Sequence, residues 1–214
     1  MLDLISKNAA FLGTGLAVTV ELAAWTIVGG TLLGFALGII RFLRVPVLSQ
    51  LAVVFIEFIR GTPLLVVLFI CYFALPALFH AQTTAYRAAM FGFIAFIAAY
   101  IAEDVRSGLR SVRGGLVHAG LALGLTRLQA LRFIVVPLAI RRVLPPLFSQ
   151  YVRLIKFTSV ASVIGVNEFT GSALLVNARV FQPVTIILGV ALTYFVLCYV
   201  VSLIGRTLYA RLAV

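Results

Sequence analysis

Five long apolar stretches alternate with short polar connectors along this chain, at about residues 12–40, 50–79, 86–104, 144–166 and 183–205. A helix needs ~20 predominantly apolar residues to cross the hydrocarbon core of a bilayer. Each stretch therefore predicts a spanning helix, and the first two have length to spare for tilt. The pattern reads as an all-α polytopic membrane protein, five transmembrane helices in one transmembrane domain covering 1–214. Arg153 and Lys156 interrupt the fourth stretch, which leaves a re-entrant or partly exposed segment open there. The first stretch is too long for the apolar core of a cleavable signal and predicts a retained helix.

Charge orients these helices. Arg41 and Arg44 fill the first connector, and Arg106, Arg110, Arg113, Arg127, Arg132, Arg141 and Arg142 the third; Arg206 and Arg211 lie in the tail. The second and fourth connectors carry little beyond Arg87 and Arg179. Basic connectors stay in the cytoplasm, so the N-terminus is expected outside and the C-terminus inside, in a bacterial inner membrane. The composition agrees: 63% hydrophobic and 11% charged residues, against ~25% charged in a globular domain. Orientation accounts for the net charge of +11, which removes nucleic acid as an expected partner.

No catalytic, cofactor or metal site is predicted. The chain has no GxxxxGK[ST] phosphate loop. Its two histidines, His80 and His118, fall on opposite sides of the membrane, and Cys71 and Cys198 lie inside apolar runs. Gly30, Gly34 and Gly38 repeat every four residues on one face of the first helix, the spacing that lets two backbones approach closely in lipid.

The third connector, 103–142, is the segment least like the rest. Helix formers run from Ala119 to Leu131, interrupted by Gly120 and Gly124, and Thr126 precedes Gln129 at capping-box spacing. Two short helices are expected, at about 116–123 and 127–135, turning at Gly124. Leu128, Leu131, Ile134 and Val135 would form an apolar ridge beside Arg127 and Arg132. Such a hairpin suits either a groove on a soluble partner or acidic lipid headgroups.

The segment from Ala122 to Pro137 resembles the cytoplasmic signature loop of permease subunits of bacterial ABC importers, where a Glu-Ala-Ala triplet is followed by Gly and then Leu-Pro. EFIRGTPLLVVLF (57–69), AYIAEDVRSGLRSV (99–112) and LPPLFSQYVRLIKFTSVASVIG (144–165) are similar to segments of the polar amino acid permease branch. The resemblance implies a type I ABC importer permease fold and a second permease subunit, identical or related. It also implies two ATP-binding cassette ATPase subunits, an extracytoplasmic solute-binding protein, and a polar amino acid as solute. The loop would hold coupling helices that meet the ATPase, with His118, Ala119, Gly120, Gly124, Leu125, Leu128, Arg132 and Pro137 at the contact. The chain departs from the family pattern at His118, where a glutamate is usual, at Gly120 for alanine, at Val136 for leucine, and at Phe157 for a polar residue. An ATP-independent channel or membrane scaffold is the alternative reading of the helices and charge bias alone.

Charges in the membrane zone normally face protein or water. Glu57 and Arg60 share a helical face just before Gly61, Thr62 and Pro63, where proline weakens the helix. Arg153 and Lys156 share another, followed by Thr158 and Ser159, and Lys156 could pair with Glu103, Asp104 or a substrate carboxylate. These nine residues are the candidates for a translocation path or gate; Glu21 on the first helix faces either another helix or the path.

Overall fold

The structure, a computed structural model, describes residues 2–112 and 114–212. Arg113, counted above among the connector arginines, lies outside them. The described chain is helical throughout. The helices are α1 (Leu2–Leu43), α2 (Leu48–Gly61), α3 (Leu64–Phe69), α4 (Leu75–Phe79), α5 (Ala85–Arg110), α6 (Gly114–Ala122), α7 (Arg127–Ala130), α8 (Val136–Phe157), α9 (Phe169–Val180) and α10 (Pro183–Leu212). Single π turns join α3 to α4 and α7 to α8, and a 3-10 turn extends α8 from Thr158 to Ile164.

Among the described residues three helices are long and apolar enough to cross a membrane: α1 over Asn8–Leu43, α5, and α10 over Pro183–Arg211. A fourth crossing is present if the stretch from Leu48 to Phe79 counts as one span. The expectation of one helix there is corrected, because the chain bends by 113° between Gly61 and Leu64. Pro63 has no amide hydrogen to continue the ladder, and the Thr62 hydroxyl donates back to the Phe58 carbonyl at 2.7 Å, closing α2. The fourth predicted stretch does not qualify on composition. Its helix begins earlier than expected, at Val136, and takes in Arg141 and Arg142 as well as Arg153 and Lys156. One whole element was unexpected: α9 occupies what reads in sequence as a polar connector.

α5 is the centre of the fold, and its most extensive contact is with α1. Gly30, Gly34 and Gly38 lie along this seam. A Cβ at Gly34 would stand 2.7 Å from Cβ of Ile101 and 3.0 Å from the Ala98 carbonyl oxygen. One at Gly38 would meet the Ala102 carbonyl at 2.7 Å. α8 packs on both α5 and α1, with Val143 filling the space beside Gly108 and the Tyr151 hydroxyl 2.8 Å from that of Thr31. α10 lies antiparallel along α8: Gly205 sits against Phe148, while Cys198 is near Val152.

At the opposite end from the arginine-rich connector, one carboxylate ties three helices together. Glu168 is wholly buried and caps α9, its oxygens accepting from the amides of Thr170 at 3.0 Å and Gly171 at 2.8 Å. Tyr194 on α10 donates to it at 2.8 Å and Thr19 on α1 at 3.2 Å. The Thr19 oxygen in turn accepts from the Phe169 amide at 2.9 Å. A buried carboxylate is tolerable here because four donors and a helix N-terminus replace its water.

Two stability effects follow. Gly34→Leu should lower the thermal stability of the detergent-purified protein by about 2 kcal/mol or more, while Gly13→Leu, at a position with open space around it, leaves the melting curve in place. Glu168→Ala removes the acceptor of a half-buried tyrosine hydroxyl and two amides and should cost roughly 3 kcal/mol by the same assay, with Glu168→Gln retaining part of the network and losing less.

Candidate functional site

Two regions gather the charged and polar residues that the fold must accommodate. The first lies beside the bend after α2. The guanidinium of Arg60 stands 5.6 Å from the centre of the Tyr100 ring, and that of Arg153 stands 5.6 Å from the same centre. Tyr100 on α5 therefore brings together two cations more than ninety residues apart. Behind it runs an aromatic wall, with Phe96 5.1 Å from Tyr100 and Phe157 5.8 Å from Phe96. A ring flanked by cations offsets part of their mutual repulsion through its quadrupole.

The nearby acids are already engaged. Glu103 accepts from Arg41 at 2.5 Å and from Arg106, joining α1 to α5 with both partners largely shielded from solvent. Asp104 accepts from the Gln150 side chain at 2.8 Å, joining α5 to α8. The anticipated pairing of Lys156 with Glu103 or Asp104 is corrected accordingly: Lys156 is exposed, and among the described residues it forms no ion pair. Glu57 and Arg60 are both exposed, and Arg60 turns to Tyr100. Thr158 is fully buried with its hydroxyl donated to the Ile155 carbonyl at 2.7 Å, whereas Ser159 is half-buried and donates to the Lys156 carbonyl. Glu21 is exposed on α1 beside Tyr86.

The second region is the connector between α5 and α8. α5 runs on to Arg110, so Glu103 and Asp104 belong to the helix and not to the loop. α6 ends in a paired carbonyl cap: the Leu125 amide donates to the Gly120 carbonyl at 3.1 Å and the Gly124 amide to Leu121 at 3.0 Å. This geometry places Gly124 at φ +88°, which only glycine adopts without strain. The capping box that starts α7 is complete, with the Gln129 amide on the Thr126 hydroxyl and the Thr126 amide on the Gln129 side chain at 2.8 Å. Val112, Val135 and Ala139 form a small core under the hairpin, with Val117 and Leu131 against it. Arg142 donates to the Ser111 carbonyl, closing the connector onto α8.

The apolar ridge differs from the one expected. Val135 is buried, Leu131 and Ile134 are half-buried, and Ile134 fills the space beside Gly120. The residues left outward are Leu123 (86% exposed), Leu128 (75%) and Phe133 (61%), with Arg127 and Arg132 beside them. The π turn over 131–135 is the physical reason, since an extra residue in the turn rotates the register that a 3.6-residue count assumes. His118, Ala119 and Pro137 are exposed, Gly120 is buried and Leu125 half-buried.

Sequence reasoning missed Tyr100, Gln150 and Glu168. Tyr100 and Gln150 look like ordinary helix residues, and nothing in the chain marks that Arg60 and Arg153 converge. Glu168 did carry a signal: a lone acid two residues before Thr170-Gly171 at the start of an apolar run.

This architecture is a helical bundle with membrane-spanning helices and a structured helical connector at one end. The family model for the binding-protein-dependent transport system inner membrane component matches residues 30–214. The chain is 38% identical over 211 residues to the probable glutamine ABC transporter permease protein of Bacillus subtilis (strain 168), covering 96% of this chain and 95% of that one. It is 37% identical over 201 residues to the glutamine transport system permease protein of Escherichia coli (strain K12), covering 94% and 92%. It is 32% identical over 212 residues to the L-cystine transport system permease protein of Bacillus subtilis (strain 168), covering 98% and 90%. Among solved structures, an amino acid ABC transporter with histidines superposes with a TM-score of 0.90 at 27% identity, over 97% of this chain and 96% of the other. A methionine ABC transporter in an inward-facing conformation shares the fold, with a TM-score of 0.78 at 16% identity over 95% and 97%.

The chain belongs to the binding-protein-dependent transport system inner membrane component family. It is a multi-pass permease subunit of a bacterial amino-acid ABC importer, and ATP hydrolysis belongs to a separate partner subunit. Membership in this family displaces the alternative of an uncoupled channel or scaffold.

The stacking of Arg60 and Arg153 on Tyr100 makes a specific prediction. Tyr100→Phe keeps the ring face and should melt like the wild type. Tyr100→Leu should lose about 1 kcal/mol of stability, the scale of a pair of partly exposed cation–π contacts, read as a melting shift in detergent.

Proposed function

We propose that this subunit carries a polar amino acid across the bacterial inner membrane. Its partners in this reading are a second permease subunit, two ATP-binding cassette subunits and an extracytoplasmic solute-binding protein. The observation that carries the reading is the connector hairpin. It is held by two complete caps and a core of its own, yet leaves Leu123, Leu128 and Phe133 outward beside two arginines. A rigid apolar ridge with a basic rim is suited to a groove on a soluble protein. Its rigid link to α5 and α8 gives a lever to the helices that hold Tyr100, Arg60 and Arg153. In this role His118, Ala119, Gly124, Leu128, Arg132 and Pro137 lie at or beside the ATPase contact, and Gly120 and Leu125 shape the hairpin from inside.

In the same reading the chain crosses the membrane five times, with the bent α2–α4 segment as the second crossing and α8 with its 3-10 extension as the fourth. Arg41, the connector arginines and Arg206 share one end of the bundle, and positive-inside bias makes that end cytoplasmic, with the N-terminus outside. The gate in this reading lies at the bend and takes in Glu57, Arg60, Gly61, Thr62, Pro63, Arg153, Lys156, Thr158 and Ser159; the meeting of Arg60 and Arg153 at Tyr100 supports it. Glutamine is the solute named for two of the relatives and cystine for a third, which supports a zwitterionic polar amino acid as the cargo.

The test is ATP-driven uptake of radiolabelled glutamine into proteoliposomes holding the co-expressed permease, ATPase and binding protein. Because Gly124 has open space around it and a positive φ, its substitution costs backbone strain and not volume. Gly124→Ala and Gly124→Leu should therefore both reduce uptake and ATPase association, with membrane insertion intact. Full coupled uptake by both variants removes the hairpin from the ATPase contact. Lys156→Ala should slow uptake without loss of subunit assembly; normal uptake takes it off the path.

A further inference from the structure

α8 and α10 border an open hollow of about 480 Å³ lined by Ser149, Arg153 and Lys156 on one side and Ser202, Arg206 and Tyr209 on the other. Its shape comes from sequence. Gly205 lets the Phe148 ring lie against the α10 backbone, where a Cβ would stand 2.7 Å from the ring. With Ser202 one turn before, this end of α10 has no bulk to fill the space that larger flanking residues hold open. The size falls within the range of small-molecule and headgroup sites.

Three cations face this hollow and no carboxylate lines it. Among the described residues none of the three is in an ion pair, although Asp104 acts electrostatically on Arg153. Glu103 holds Arg41 and Arg106, Asp104 holds Gln150, and Glu168 is saturated by its four donors. Arg153, Lys156 and Arg206 are all exposed, and three like charges around one hollow attract an anion from outside the chain.

We propose that this hollow is a binding site for the phosphate of an anionic phospholipid. A lipid fits better than a free ion because α10 continues the hollow as an apolar surface. The stacked rings of Phe195 and Tyr199, on the same face of α10 two turns and one turn before Ser202, are both exposed and able to receive acyl chains. Arg206 and Tyr209 stand in the last two turns of α10, the level at which tyrosine and arginine meet headgroups. The end of α10 lies with the arginine-rich connector, and basic hollows between helices on that side of a membrane recognise anionic headgroups. Arginine offers forked, charge-assisted donors to a phosphate, and the hydroxyls of Ser149, Ser202 and Tyr209 supply neutral ones. Arg153 and Lys156 also figure in the proposed gate, so a bound headgroup would neutralise them from the lipid side; Arg206 and Tyr209 lie outside that gate.

The experiment uses the complex purified in mild detergent and read two ways, by mass spectrometry of co-purified phospholipid and by thermal melting on adding back lipid. Phosphatidylglycerol should be retained over phosphatidylcholine and should raise the melting temperature. Arg206→Gln should lower its retention about fivefold, the ratio that about 1 kcal/mol per basic residue gives. Arg206→Lys should restore most of it, and Arg211→Gln, outside the hollow, should change it little. Equal retention of the two lipids, or retention unaffected by Arg206→Gln, overturns the proposal. So does inorganic phosphate reproducing the melting rise, which makes the site one for a free anion. A disulfide from Ser202→Cys to the second permease subunit also overturns it, by making this face a subunit interface. None of these readouts depends on which amino acid is carried or on the gate assignment.

Discussion

The rest of the bundle depends on how closely α1 and α5 approach. In lipid, apolar side chains gain nothing by leaving their solvent, so helices associate through close van der Waals contact and backbone proximity. Glycines at 30, 34 and 38 supply that proximity, giving Ile97, Ile101 and Val105 a groove instead of a ridge to meet. The seam also sets the register of everything polar at the connector end. With α1 seated there, Arg41 falls within 2.5 Å of Glu103, and Glu103 in turn holds Arg106. Displacing the seam by one turn would break the Arg41–Glu103 pair and leave a shielded arginine without its carboxylate, a cost added to the lost packing.

The two ends of the bundle handle charge differently. At one end Glu168 is buried, and the fold brings four donors to it, so the carboxylate acts as a tie between α1, α9 and α10. Near the other end the acids join helices, and Arg60, Arg153 and Lys156 form no ion pair among the described residues. If the proposed gate lies here, its opening and closing are eased by keeping these residues off saturated networks. Cations stacked on an aromatic face can slide or reorient at a cost of about 1 kcal/mol, where a buried ion pair would resist by several. Placing Arg60 at the terminus of a helix broken by Pro63 adds to this freedom, since the bend is a position where backbone angles can change without tearing a ladder.

The connector shows the same economy on the soluble side. Its turn is fixed by backbone hydrogen bonds and a positive φ at Gly124, and its second helix by a reciprocal cap. The outward residues are therefore free to be apolar without being needed for the hairpin's own stability. His118 and Gly120, where the family pattern has glutamate and alanine, divide between these duties. His118 is on the outer surface, while Gly120 is inside, where it admits Ile134.

Sequence alone was enough for the class of the molecule, the arginine-rich end, the glycine seam, the turn at Gly124 and the cap at Thr126. Each of these rests on local chemistry or on composition, which a chain displays without folding. Apolar length answers to bilayer thickness, arginine placement to insertion, and glycine and capping residues to the backbone within a turn or two. Tertiary structure alone decided that Arg60 and Arg153 meet at Tyr100, that Asp104 is held by Gln150 and so withheld from Lys156, and that Glu168 joins three helices. It also decided which leucines of the hairpin turn outward, because one π turn shifts the helical count. Those outcomes depend on the angle and register between helices distant in sequence, and no period along a single chain encodes them.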